Sequence, residues 1–208
     1  MDRSFFSKIL HRLGRAEKRI IVFWIRFSRK HRDSHRLPFF LFAILFLDGF
    51  TMVIPSLFCM MASVTISPRR WILFGTIFAA AATSNNLATY ILGRCLPTES
   101  IVNIIEYFQM EAFWQMAERA LHDYGSYATF IGAIIGLPTQ MILMLIGIAD
   151  AQLLQADPSA TASFYKAIIF AFLGHSLKGY ALAALTRYGW VKLEKKFGTE
   201  VVPSSPKP

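Results

Sequence analysis

The chain has 208 residues, a net charge of +9 and a mean hydropathy of +0.42, and 54% of its side chains are apolar. Soluble domains carry about 45–50% apolar residues and disperse them, so apolar side chains concentrated in long uncharged runs argue against a water-soluble globule. The only cysteines, Cys59 and Cys95, have no spacing suited to a metal site or a disulfide framework.

Charge is unevenly placed. Residues 1–36 hold 11 Lys/Arg and 3 acids, residues 37–186 hold 6 and 8, and residues 187–208 hold 5 and 2. Basic residues beside apolar spans mark the cytoplasmic side of a membrane, which predicts cytoplasmic termini. Within 1–36, Ile20, Phe23, Trp24 and Phe27 share one face of a helix, with Lys18, Arg19, Arg26, Arg29 and Lys30 around the rest. Such a helix lies in the headgroup plane, held by its aromatic side and by anionic lipid. A cleavable signal peptide is not expected, because the first apolar core begins only at Leu37 and no small-residue cleavage site follows it.

Leu37–Ile66 is apolar over 30 residues, about 45 Å as one helix, against a hydrocarbon core of about 30 Å. Asp48-Gly49 and Pro55 interrupt it and leave two arms, Leu37–Leu47 and Ser56–Ile66, of 11 residues each. Each arm would cover about 16 Å, the dimension of a re-entrant hairpin. Trp71–Gly93 then runs 23 residues without a charge between Arg69-Arg70 and Arg94, enough to cross once. Thr98–Gly125 is amphipathic, with a stripe of Ile101, Ile104, Ile105, Phe108, Ala112 and Gln115 and five acids against Arg119. It reads as one interfacial helix on the non-cytoplasmic side.

Tyr127–Ala149 has Gly136-Leu137-Pro138 at its centre and reads as a second hairpin, although it is long enough to span once. A loop, Asp150–Ala162, leads to a second span at 164–186 that contains Lys166, His175 and Lys178. Residues 197–208 form a polar tail. The interruptions and span ends fall in corresponding places of the two halves. The expected fold is therefore an all-α integral membrane protein with two re-entrant helical hairpins and two spanning helices in an inverted repeat, plus interfacial amphipathic helices. Broken segments in matching positions of inverted halves point to a substrate site near the midplane.

The candidate site residues are the polar ones at that depth. Asp48 is an intramembrane carboxylate, a functional candidate by default or else the cap of a half-helix. His175 and Lys178 are three residues apart and share a helix face. Asn85 and Asn86 occupy the matching part of the earlier span, as substrate contacts or as helix–helix glue. Pro55 and Pro138 break helices and free backbone groups that neighbours must satisfy. The expectation is that Asp48 lies near His175 or Lys178 at a polar centre. No P-loop, GxGxxG, HExxH, GxSxG or CxxC motif occurs, so no enzyme, cofactor or metal is expected. Nucleic acid is not an expected partner of the basic start, which adjoins an apolar segment.

The chain resembles the DedA/VTT (SNARE-associated) family, in its short YqaA-like branch, over about residues 40–196. The resemblance rests on Phe46-Leu47-Asp48-Gly49 leading to Ile54-Pro55, on Ser67-Pro68-Arg69-Arg70-Trp71, and on Tyr90-Ile91-Leu92-Gly93-Arg94. In the second half it rests on Tyr124-Gly125, Gly136-Leu137-Pro138, Ile146-Gly147 and Gly174-His175-Ser176-Leu177-Lys178-Gly179-Tyr180. It implies a transporter or scramblase of phospholipid or polyprenyl-phosphate, linked in some members to protons, in a bacterial inner membrane. The partners implied are lipids with anionic or phosphate-bearing headgroups, with self-association allowed. Asp48, His175 and Lys178 look like family positions. The acid usual after the first proline is replaced by Ser56-Leu57, and the basic residue usual after the second by Thr139-Gln140. The alternative is a non-transporting membrane structural or assembly factor needed for envelope integrity.

Overall fold

The computed structural model describes residues 15–32, 34–51, 56–107, 109–156 and 164–197. Among them every regular element is helical. The α-helices are α1 (Arg15–Lys30), α2 (Arg36–Thr51), α3 (Ser56–Ile66), α4 (Trp71–Cys95), α5 (Thr98–Tyr107), α6 (Glu111–Tyr124), α7 (Tyr127–Ile135), α8 (Thr139–Ala156) and α9 (Phe164–Phe197).

Among the described residues two helices are both long and apolar enough to cross a membrane, Thr139–Ala156 and the stretch Phe164–Gly189 of α9. At 25 residues α4 is longer than α8, but Thr83-Ser84-Asn85-Asn86 in its midsection lowers its apolarity. The exteriors suit hydrocarbon better than water. α9 exposes Ile169, Phe172, Leu173, Leu177 and Leu185, and α4 exposes Ile72, Leu73, Leu87, Ile91 and Leu92, large apolar side chains of the kind that mark contact with a membrane or another protein when they adjoin.

α2 packs on α4 and α3 on α9, whereas α7 packs on α9 and α8 on α4. Each short helical pair thus lays its first helix on the long helix that follows it and its second on the other long helix. α4 and α9 also pack on each other. Glycines set the closest approaches. A Cβ on Gly93 would strike the Met144 carbonyl, and one on Gly147 the Tyr90 carbonyl, so α4 and α8 meet backbone to backbone. At the other end of α4, Gly75 lies under the Tyr180 ring and Gly179 against Phe78. Small residues allow such contact where no hydrophobic force drives apolar helices together.

The second pair turns tightly. α7 ends at Gly136, whose φ of 86° suits a residue without Cβ, and its amide donates to the Gly132 carbonyl at 2.9 Å. Pro138 follows and cannot continue a helix. The arms are unequal: α7 has 9 residues and α8 has 18, about 13 and 27 Å. α8 therefore runs past Ala149 into the segment expected to be a loop. It carries Asp150 into the interior, 2% exposed, where local composition reads as loop but packing on α4 sustains the helix.

Residues 98–125 form two helices rather than one. Gln109, at φ 54°, separates them, and the buried stripe is reset across the turn. Ile101 and Ile105 are buried in α5 and Ala117 in α6, while Ile104, Ala112 and Gln115 are exposed and Phe108 lies outside the described residues.

The amphipathic first helix does more than lie on a surface. Trp24 is 1% exposed and its indole Nε1 donates to the Cys59 carbonyl at 2.9 Å and to Ser63 Oγ at 3.2 Å. The Ser67 hydroxyl and the Arg70 guanidinium donate to the Arg32 and Ser34 carbonyls. Phe23 stays 62% exposed on the outer face beside Arg19 and Arg26. At the other end of the chain, α9 continues through Phe197, and the tail 198–208 lies outside the described residues.

Candidate functional site

Polar side chains gather where the middles of α4 and α9 meet the turn between α7 and α8. Asn85, Asn86 and Thr139 are at most 1% exposed and His175 is 8% exposed. Burying such groups unbonded is expensive, and four helices, α2, α4, α8 and α9, supply their partners. The Asn86 side-chain nitrogen lies 3.1 Å from His175 Nε2. The Thr139 hydroxyl donates to Asn86 Oδ1 at 3.2 Å and lies 3.4 Å from His175 Nε2. Thr139 occupies this place because it is the first residue of α8 after the Pro138 break. The Phe78 ring meets the imidazole edge-on, with centroids 6.2 Å apart.

Asn85 connects the cluster to α2. Its amide donates to the Phe46 carbonyl at 3.1 Å, and Gly49 lies so close that any Cβ would collide with the Asn85 side chain. Lys178 is half-buried. Its Nζ reaches within 3.7 Å of where a Gly136 Cβ would stand, so the ammonium borders the α7–α8 turn one helical turn below His175. Two buried atoms here have no hydrogen-bond partner among the described residues, Asn85 Oδ1 and His175 Nδ1.

The sequence-predicted residues therefore divide. Asn86 and His175 touch, Asn85 lies beside them, and Pro138 and Lys178 border the same turn. Asp48 is half-buried on α2, adjacent to Gly49, while the described hydrogen bonds of His175 run to Asn86 and Thr139. Pro55 lies outside the described residues. Thr139 was the member sequence reasoning passed over. A hydroxyl directly after a helix-breaking proline in an uncharged run was the signal for it.

A second polar contact lies at the far end of α4. The Tyr90 hydroxyl donates to Asp150 Oδ2 at 3.1 Å, and the Arg94 guanidinium lies beside the same hydroxyl. Asp150 had been assigned to a loop; the length of α8 is what buries it. The Arg187 guanidinium sits 5.6 Å over the Trp71 ring, within cation–π range. Neither cysteine is paired. Among the described residues no group of His, Cys, Asp and Glu could hold a metal ion. No protein-family model, curated protein or solved structure matches the chain.

Proposed function

We propose that the chain is a membrane lipid transporter or scramblase of DedA type, with α2–α3 and α7–α8 as re-entrant hairpins related by an inverted repeat. In this reading both termini are cytoplasmic, the membrane is the bacterial inner membrane, and no covalent chemistry is performed. The observation that carries it is the Asn86–His175–Thr139 network, with Lys178 beside it, inside a bundle whose outer surface is apolar. Polar and ionisable side chains at such depth are expensive and mark transport pathways more often than scaffolding. The exchange of partners between the two short helical pairs supports the repeat, and the phosphate-compatible Lys178 supports an anionic headgroup.

The test is reconstitution of the full chain into vesicles carrying fluorescent lipids with phosphate, glycerol and choline headgroups. Wild type accelerates exchange between leaflets several-fold over empty vesicles. Asn86→Leu and Lys178→Gln lose most of that acceleration while inserting normally. Wild-type vesicles that exchange every headgroup no faster than empty ones would remove the transport reading and leave the assembly factor in its place.

A further inference from the structure

The hydrogen-bond chain at the site has a direction, and it can be read. Asn86 Nδ2 carries only hydrogens, so at 3.1 Å from His175 Nε2 that nitrogen must present its lone pair. The imidazole is then neutral with its proton on Nδ1, the other ring nitrogen being fixed by what the first one bonds. Asn86 Oδ1 accepts from Thr139. Every member of this chain also works in reverse. A hydroxyl both donates and accepts, and an amide turned by 180° exchanges its oxygen for its nitrogen.

We propose that His175 Nε2 is a proton-binding site, and that Asn86 and Thr139 are the chain that reverses when the proton arrives. A proton from water forms the Nε2–H bond, and the imidazolium donates to Asn86 Oδ1 once the amide has turned. The Asn86 nitrogen then donates to Thr139 Oγ1, which changes from donor to acceptor. The His175–Asn86 and Asn86–Thr139 contacts are both kept, each with its direction reversed. Thr139 opens α8, so the reversal acts on the hydrogen bonding of that helix's first residue.

The surroundings say what accompanies the proton. The charged or titratable groups on the elements around the cluster are Lys178 on α9 itself, whose Nζ borders the α7–α8 turn, Asp48 on α2, next to the Gly49 that packs on Asn85, and Cys59 on α3. α4 presents Asn86 and Phe78, α7 presents Phe130 and Ala133, and α8 presents Thr139, all neutral. Lys178 opposes a second cation. An anion at its ammonium relieves that opposition, so proton uptake and anion binding favour each other reciprocally. The anion is a phosphate-bearing headgroup if the transport reading holds; the proton site does not depend on it.

Nitrogen NMR of full-length protein labelled at histidine and asparagine, in phosphatidylcholine nanodiscs, tests this, with His175→Gln and Asn86→Asp identifying the signals. At high pH, wild type shows a protonated Nδ1 and a bare Nε2. Acidification converts both to imidazolium, and the Asn86 side-chain amide moves with the same midpoint. Asn86→Asp raises the midpoint by about one pH unit or more, and Lys178→Gln by about one. A protonated Nε2 at high pH overturns the proposal without any variant, as does an Asn86 amide indifferent to the titration. Adding phosphatidic acid raises the midpoint in wild type and not in Lys178→Gln. A midpoint that ignores phosphatidic acid, with the tautomer and the Asn86→Asp shift intact, strikes the transport reading and leaves the proton site standing.

Discussion

The two ends of α4 are joined to their neighbours by different means. At Gly93 and Gly147 the backbones of α4 and α8 touch, each glycine facing a carbonyl of the other helix. At Gly75 the nearest neighbour is the ring of Tyr180 on α9, a side chain that is 37% exposed and whose hydroxyl lies 2.9 Å from Thr76 Oγ1; the Gly75 carbonyl is 3.0 Å from where a Gly179 Cβ would stand. Backbones in direct contact cannot yield without moving a whole helix, whereas a ring can turn once its hydroxyl contact is given up. The α4–α8 joint is therefore the fixed one, and the contact of α4 with α9 near Gly75 is the looser of the two. The polar site lies between them.

Substitutions at the fixed joint carry the largest expected effect. Gly147→Ala would press a methyl into the Tyr90 carbonyl and the Arg94 and Gly93 backbones and should destabilise by about 3 kcal/mol. Thermal unfolding in detergent should show a clear fall in midpoint, and an unchanged midpoint would mean that this joint is not close-packed. Gly75→Ala meets only Tyr180 ring atoms at 2.8 and 3.2 Å and the Gly179 backbone at 3.5 Å. It should lower stability by about 1 kcal/mol, because the ring can turn away; a loss equal to that of Gly147→Ala would erase the distinction between the joints. Tyr180→Phe removes the 2.9 Å contact of Tyr180 Oη with Thr76 Oγ1 and leaves the ring in place. The expected loss is about 0.6 kcal/mol, read by the same unfolding measurement.

The helical pattern was legible because apolar run length, proline position and charge bracketing are local properties. Tyr127–Ala149 announced its interruption at Gly136-Leu137-Pro138, and Asn85, Asn86 and His175 stood out as polar residues in long apolar runs; Asp48-Gly49, by contrast, does not end the first arm, because α2 continues through it to Thr51. What could not be read was the partner of each. Asp48 was expected near His175 or Lys178 because pairing offsets the cost of burying charge, but nothing local to the sequence said that Asn86 and Thr139 are the groups that meet the His175 ring. Thr139 and Asp150 were missed for related reasons: one polar hydroxyl is unremarkable by composition, and where α8 ends depends on α4 rather than on residues 150–156. The Gln109 turn is a single residue in the left-handed region, which nothing in the amphipathic stripe foretold.

The docking of Trp24 bears on how the chain is made. Its acceptors lie 35 and 39 residues further along, so the first helix leaves the ribosome before its binding site exists. At about 5–20 residues per second that interval lasts about 2–8 seconds. During it the indole is without the acceptors that hold it in the folded chain. The emergence of Cys59 and Ser63 supplies them, and Ser67 then ties the Arg32 carbonyl. Biogenesis of the first helical pair is in this sense timed by its own N-terminal strap, which closes only when the second arm has been delivered.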